Sequence, residues 1–375
     1  MDKPMTTNTA LFQPTPFDWK DRPSVQVLRL EATSMASYTV SCGGHITLLF
    51  SIWKDARLAR SQGSRGAGFN VVDGVEVTVT HLGTNAPEQV GQISQGSTLD
   101  EHPTGFEDGE IRLTVESMGG ALIEQDDSFY TDLIQALRDA RLLNPADSFD
   151  INVKISLPTS QGFGMSAAGL IAVARALHQH SGVGRESQYL RIAHRIERLH
   201  SGGLGDVLGI AAGGVELRLE PGAPGAGGKA VSFNTEQRVL LVWKPNEARH
   251  TAKYIDDAVW QRTISEAGEK AVRTLRLKNW DAGIWSDLML QSRNFAQASG
   301  LVEEPERMAL NTAVMNELRA IQMHTRVYVR LCMLGVSLTV LPRQLEHPLS
   351  EEEIQHIAEA LRGLNFGVRA TSISA

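Results

Sequence analysis

Apolar and polar residues alternate at period two in five stretches: Val25/Val27, Tyr38 to Phe50, Val75/Val77/Val79, Ile111/Leu113/Val115 and Phe149/Ile151/Val153/Ile155/Leu157. Each predicts a β-strand with one buried face. Segments 75–82 and 110–116 read as partners in a hairpin. The polar stretch 83–109 between them, rich in Gly, Pro, Gln and Asp, is too long for a tight turn and reads as an exposed insertion. Helical spacing appears at 128–143, through Leu133, Ile134, Leu137 and Leu142, and again at 166–180 and 186–200. A strand at Val215/Leu217/Leu219 runs into the breaker cluster 221–228. After it come a strand at 238–243, helical stretches at 256–276, 284–299 and 304–325, a strand at 336–341, a helix at 351–362 and a strand at 367–373. Ser350 with Glu353 three residues on predicts a capping box for the last helix, and Gly363 its stop. Strands followed by helices in each half indicate an α+β architecture. The expected organisation is an extended arm at 1–24, one domain at 25–220 and a second at 229–375.

A chain of 375 residues exceeds the roughly 250–300 at which a single core stops growing, which supports two domains. With 43 Asp+Glu against 36 Lys+Arg the formal net charge is −7, so the global field disfavours nucleic acid and anionic membrane, while a local nest of donors could still hold a small anion. Cys42 and Cys332 are too few for a disulfide framework and have no CxxC partner for zinc, which fits a reducing cytoplasm. No apolar run approaches the roughly 18–20 residues of a membrane span, and the N-terminus lacks a basic-then-apolar leader pattern. Whether the chain forms a homo-oligomer is left open.

The densest chemistry lies at Pro158-Thr-Ser-Gln-Gly162-Phe-Gly164-Met-Ser166-Ala-Ala-Gly169, between an alternating strand and an apolar helix. Such a junction aims unpaired backbone N–H groups and the positive end of a helix dipole at one spot, and glycines let a polyphosphate approach the backbone. The Lys-Ser/Thr of a Walker A loop is missing. The Gly162-x-Gly164-x-x-Ala167 spacing matches a relaxed dinucleotide fingerprint, but the region that should hold its second strand and acidic residue is helical. Glycines serving only close packing remain the alternative. Further along, the helix at 186–200 buries Leu190, Ile192, Ala193, Ile196 and Leu199 and sets Glu197 at the edge of that stripe, and Ser201-Gly-Gly-Leu-Gly205 delivers Asp206. Alone, Glu197 reads as a surface acid and Asp206 as an N-cap. Together with the loop they supply a hydroxyl, a carboxylate and a second acid, the parts that phosphoryl transfer needs for a metal and for the attacking alcohol.

Pro158 to Ala168 matches the phosphate-loop pattern Pro-x-x-x-Gly-Leu/Phe-Gly-x-Ser-x-Ala of the GHMP kinase superfamily, which the chain resembles over residues 36–375. Within it the sequence is most similar to the archaeal pantoate kinase family. The matching motifs are Gly44-His-Ile-Thr47, Gly63-Ser-Arg-Gly-Ala-Gly68, Gly162-Phe-Gly-Met-Ser166 and Gly203-Leu-Gly-Asp-Val207. The resemblance implies a ribosomal S5-like N-terminal domain, a ferredoxin-like C-terminal domain and an ATP site between them. It places Pro158, Gly162, Phe163, Gly164, Met165, Ser166 and Ala167 around the nucleotide, Ser166 and Glu197 on Mg²⁺, and Asp206 as the catalytic aspartate that orients the attacking hydroxyl and accepts its proton. His45 and Arg65, on the first two motifs, are the candidates for a substrate carboxylate, with a buried hydrogen-bonded imidazole as the other reading of His45. The implied reaction is ATP-dependent phosphorylation of pantoate to 4-phosphopantoate on the route to coenzyme A. A kinase of another small alcohol, such as mevalonate or homoserine, and a non-catalytic nucleotide sensor are the alternatives.

Overall fold

A hairpin of two long strands, β1 (Ser37–Trp53) and β2 (Gly63–Thr84), forms the spine of the computed structural model, which describes residues 36–84, 109–123, 128–245, 247 and 252–374. The arm at 1–24, the strand read from Val25 and all but the ends of the 83–109 stretch lie outside the described residues. The Gly63–Gly68 motif is the start of β2. A Cβ at Gly66 or Gly68 would run into the carbonyl oxygens of Leu49 or Ile46, so glycine here lets two strand backbones close on each other.

Along its opposite edge β2 is shared by two strands. Val75–Thr84 pairs antiparallel with β4 (Asp147–Ile155), and Gly66–Phe69 pairs with β5 (Val215–Glu220). The strand at 111–117, β3 (Ile111–Ser117), runs parallel to β4 and does not meet β2, which corrects the hairpin expected between 75–82 and 110–116. A parallel neighbour needs a crossover, and α1 (Ser128–Asp139) lies in the connection from β3 to β4. The segment from 229, assigned from sequence to the second domain, instead adds β6 (Lys229–Phe233) to β5. The first sheet thus runs β3-β4-β2-β5-β6 with β1 on β2. On this sheet pack α2 (Met165–Ser181) and the short α4 (Asp206–Ala212), and α1 and α3 (Glu186–Leu199) pack against α2.

The second sheet contains β7 (Arg238–Trp243), β8 (Val327–Leu331), β9 (Ser337–Pro342) and β10 (Gly367–Ser372) in the order β10-β7-β9-β8, with all neighbours antiparallel. Between β7 and β8 come α5 (Ala252–Ile255), α6 (Ala258–Leu275), α7 (Trp285–Ala298) and α8 (Pro305–Ala320), and α9 (Glu351–Gly363) joins β9 to β10. Reducing the helical run to one crossover gives β-α-β-β-α-β with strand order 4-1-3-2, the ferredoxin-like arrangement. β8 escaped the sequence pattern because it follows a helical stretch with only a short turn between them. The predicted Ser350/Glu353 box is present, Glu353 N–H donating to Ser350 Oγ and Ser350 N–H to Glu353 Oε2.

The two sheets meet across β1. Gly268 of α6 sits against the Phe50 carbonyl with no room for a side chain, Ser292 Oγ of α7 donates to the Leu48 carbonyl, and Met333 N–H donates to the Thr47 carbonyl. No helix among the described residues is long and apolar enough to cross a membrane.

Candidate active site

A cavity of about 340 Å³ opens at the N-terminal end of α2, and the glycine-loop backbone forms one wall of it. Ser160, Gly162 and Gly164 all have positive φ, 59°, 76° and 69°, so the chain turns back on itself repeatedly. Such a run makes a concave nest of N–H groups. Gly164 is the residue before the helix and supplies no side-chain cap, and the first intrahelical bond runs from Ala168 N–H to the Gly164 carbonyl. The amides of Met165, Ser166 and Ala167 are therefore open to an anion in the cavity. The loop is held from both sides. His45 N–H donates to the Phe163 carbonyl, and Gly162 and Gly335 lie against Met333 and Gln161 backbone with no space for a Cβ. Phe163 turns its ring into the core, edge-on to Trp243 at 5.9 Å, so its contribution to the cavity wall comes with a buried anchor.

Two carboxylates face the loop. Gly202 and Gly203 break the chain after α3, and Arg198 Nη1 donates to the Gly203 carbonyl at 2.6 Å. A Cβ on Gly203 would run into Glu197 Oε1 and lie 2.8 Å from Asp206 Oδ2, so both acids converge on the space that this glycine leaves open. Glu197 is fully buried, not at the edge of the stripe as its spacing suggested, while Leu199, expected in the stripe, is exposed. Burial and the neighbouring Asp206 charge push the Glu197 carboxyl up to about 8, against the pull of Arg198, His45 and the Val207 N–H. Its Oε2 has no hydrogen-bond partner. A buried, unpartnered carboxylate oxygen on a cavity wall, opposite an exposed hydroxyl at Ser166, is a donor set that suits a hard divalent cation.

Asp206 is held differently. Burial would raise its carboxyl, but His45 donates to Oδ1 from Nδ1 at 2.7 Å, Thr47 Oγ1 donates to the same oxygen at 3.3 Å, and Arg218 adds positive charge, so the group stays below its ordinary range. His45 lies directly behind Asp206 and does not line the cavity. Its Nε2 faces Glu216 Oε1 at 3.0 Å. Burial pulls the imidazole down, yet Asp206 and Glu216 outweigh it and hold His45 above its usual value, with each ring nitrogen within hydrogen-bond distance of a carboxylate oxygen.

The structure brings Pro158, Gly162, Phe163, Gly164, Met165, Ser166, Ala167, Glu197 and Asp206 to one cavity, but not Arg65. Arg65 lies on the opposite face of β2. It donates to the Leu219 carbonyl, pairs with Glu220 at 2.8 Å and Glu269 at 3.1 Å, and stacks over Trp53. Period-two alternation turns its neighbour Ser64 to the cavity instead. The guanidinium on the cavity wall is that of Arg218, buried beside Thr47 Oγ1 at 3.5 Å, with Nε 3.6 Å from Glu216 Oε1 and without a hydrogen-bond partner. Alternation in Val215-Glu-Leu-Arg-Leu-Glu220 made Glu216 and Arg218 look like a solvated face. In the fold that face is buried, and an acid and a base two apart on such a strand were the available signal.

Residues 129–214 match the family described as the GHMP kinases N terminal domain. The chain is 38% identical to a pantoate kinase of Thermococcus kodakarensis over 145 residues, 39% of this chain, so it spans only 46% of that relative. It is 25% identical to a pantoate kinase of Methanocaldococcus jannaschii over 261 residues, 70% of this chain and 80% of that one. In three dimensions it superposes on a phosphotransferase related to the CoA biosynthesis pathway with a TM-score of 0.65 and 24% identity, covering 90% of this chain and 95% of the other.

Proposed function

The chain has the GHMP kinase fold and carries that superfamily's N-terminal domain, and on this premise we propose that it transfers the γ-phosphoryl group of ATP to the primary hydroxyl of pantoate, giving 4-phosphopantoate. The observation that carries the reading is the convergence on one cavity of a helix-end nest of amides, the Glu197/Asp206 pair and the buried Arg218. The nest suits the phosphates. Arg218, flanked by Thr47 and Ser64, suits the carboxylate of a small acid. Asp206 accepts the proton of the attacking hydroxyl as the new O–P bond forms and the bond from the γ-phosphorus to the β-γ bridging oxygen breaks, leaving ADP. Its Oδ1 is already fixed by His45 and Thr47, so Oδ2 is the oxygen available for that proton. Ser166 and Glu197 are the residues that would hold Mg²⁺, which when bound neutralises charge on the phosphates. The buried Arg218 on the cavity wall favours a hydroxy acid, and the relatives named pantoate kinase support pantoate within that class.

The Glu197 assignment has a testable pH signature. Its carboxyl shifts from an ordinary 4.5 to about 8 on folding, so its contribution to stability is complete below 4.5 and is lost as pH rises through 8. Glu197→Gln should therefore raise the melting temperature at pH 8 and above, and at the same time remove the Mg²⁺-dependent part of the stabilisation by ATP. In the wild type that part should strengthen about tenfold in affinity per pH unit up to 8, as the metal displaces the proton. Calorimetry across pH 6–9 reads both effects. A variant that keeps wild-type magnesium dependence would show that Glu197 is not a ligand.

A further inference from the structure

A second cluster of metal-ligating side chains lies at the far end of α2. His180 sits in its last turn, His81 near the end of β2, and Asp147 at the start of β4. Their ligand atoms lie within 4.8 Å of one another. Asp147 Oδ2 is 3.2 Å from His180 Nε2, and Oδ1 is 3.5 Å from His81 Nε2. We propose that His81, Asp147 and His180 form a divalent transition-metal site, best suited to Zn²⁺, which ties β2, β4 and α2 together at the end of the fold opposite the phosphate loop.

Four observations favour a metal over a simple ion-pair cluster. Two imidazoles and one carboxylate match the ligand number and softness of a zinc site with one open position. Tetrahedral bonds of about 2.0–2.1 Å set neighbouring ligand atoms about 3.3 Å apart, and each imidazole lies near that distance from one oxygen of Asp147, Oδ2 for His180 and Oδ1 for His81. His81 Nε2 is a buried atom without a hydrogen-bond partner. Its ring centroid lies 4.7 Å from that of His180, which brings the two imidazoles side by side next to the Asp147 carboxylate.

The surroundings of Asp147 fit the outer shell of such a site. Thr84 Oγ1 donates to Asp147 Oδ1 at 2.6 Å and Asn144 Nδ2 at 3.3 Å, which orients the carboxylate. Phe149 packs edge-on to His180 at 5.0 Å and 5.6 Å from His81, and Tyr38 packs edge-on to His180, so the imidazoles have apolar walls. The C-terminal end of a helix also favours a cation. Seventeen helical residues separate this cluster from the phosphate loop by about 25 Å, so it is independent of Ser166 and Glu197.

The test uses the full chain, stripped with a chelator and kept in excess Mg²⁺ to occupy the other site, then titrated with Zn²⁺ and separately with Co²⁺. Wild-type protein should take up one tight equivalent, show visible Co²⁺ absorption that Zn²⁺ abolishes, and melt at a higher temperature when loaded. His180→Gln and His81→Gln, each made alone and checked for folding by circular dichroism, should weaken Zn²⁺ binding at least about 100-fold while the Mg-ATP thermal shift persists. If one variant fails to fold, the other and the wild-type stoichiometry decide. A wild type that takes up no tight equivalent, or a folded variant that binds Zn²⁺ as the wild type does, overturns the site.

Discussion

Asp206→Asn should lower turnover by about a thousandfold while leaving Mg-ATP affinity within a few-fold of wild type. The amide keeps the shape of the carboxylate but cannot take the hydroxyl proton, and it faces His45 with an altered charge. In the wild type the charges and hydrogen bonds of His45, Arg218 and Thr47 keep Asp206 ionised through neutral pH despite burial. Lowering its affinity for protons makes Asp206 a weaker base, so part of its effect comes from orienting the alcohol, as a loose phosphoryl-transfer transition state allows. Rapid-quench single turnovers, with nucleotide affinity measured separately by calorimetry, distinguish the cases. Turnover near wild type would remove Asp206 from the reaction.

Arg218→Met should raise KM for the hydroxy acid by about 100-fold and leave KM for ATP nearly unchanged. Removing a buried, charge-assisted donor from a carboxylate leaves that carboxylate desolvated and unpaired, which costs about 2–5 kcal/mol. Arg218 also neighbours the buried Glu216, so the variant loses some stability as well. Arg218→Lys separates these roles, because a lysine keeps the charge near Glu216 but loses the planar fork. Steady-state kinetics with each substrate varied in turn give the two KM values. Equal effects on both substrates would mean that Arg218 supports the fold and does not read the acid. Arg65→Met, on the opposite face and paired with Glu220 and Glu269, should leave both KM values near wild type.

Sequence periodicity was sufficient wherever a segment buries one face. It located β4, α1, α3 and the capped α9, because amphipathic patterns survive any tertiary arrangement. It was misleading where long-range packing decides. Residues 63–68 carry no alternating apolar pattern, yet they are a strand whose neighbour approaches too closely for side chains. The partner of β3 depends on a crossover, not on proximity in sequence. The glycine loop and the two acids of the candidate site were legible because local spacing fixes them: a strand, a helix start and a second helix end within fifty residues. The substrate side was less so. Ser64 and Arg65 differ by one position, and which of them meets the cavity depends on a register that no local pattern contains. Arg218 and Glu216 sit at the polar positions of an alternating strand, and their face of β5 is covered only once α4 packs on it. His81, Asp147 and His180 are far apart in sequence and meet only when β2, β4 and α2 are assembled.

The most direct test of the kinase reading is incubation of the purified chain with Mg-ATP and, in separate reactions, pantoate, pantothenate, mevalonate and homoserine, with ADP release followed and the product identified by mass. The account predicts ADP release that depends on pantoate, in equal amount to a product with the mass of 4-phosphopantoate. ADP release with another of these alcohols but not with pantoate, or none with any of them although Mg-ATP binds, would contradict it.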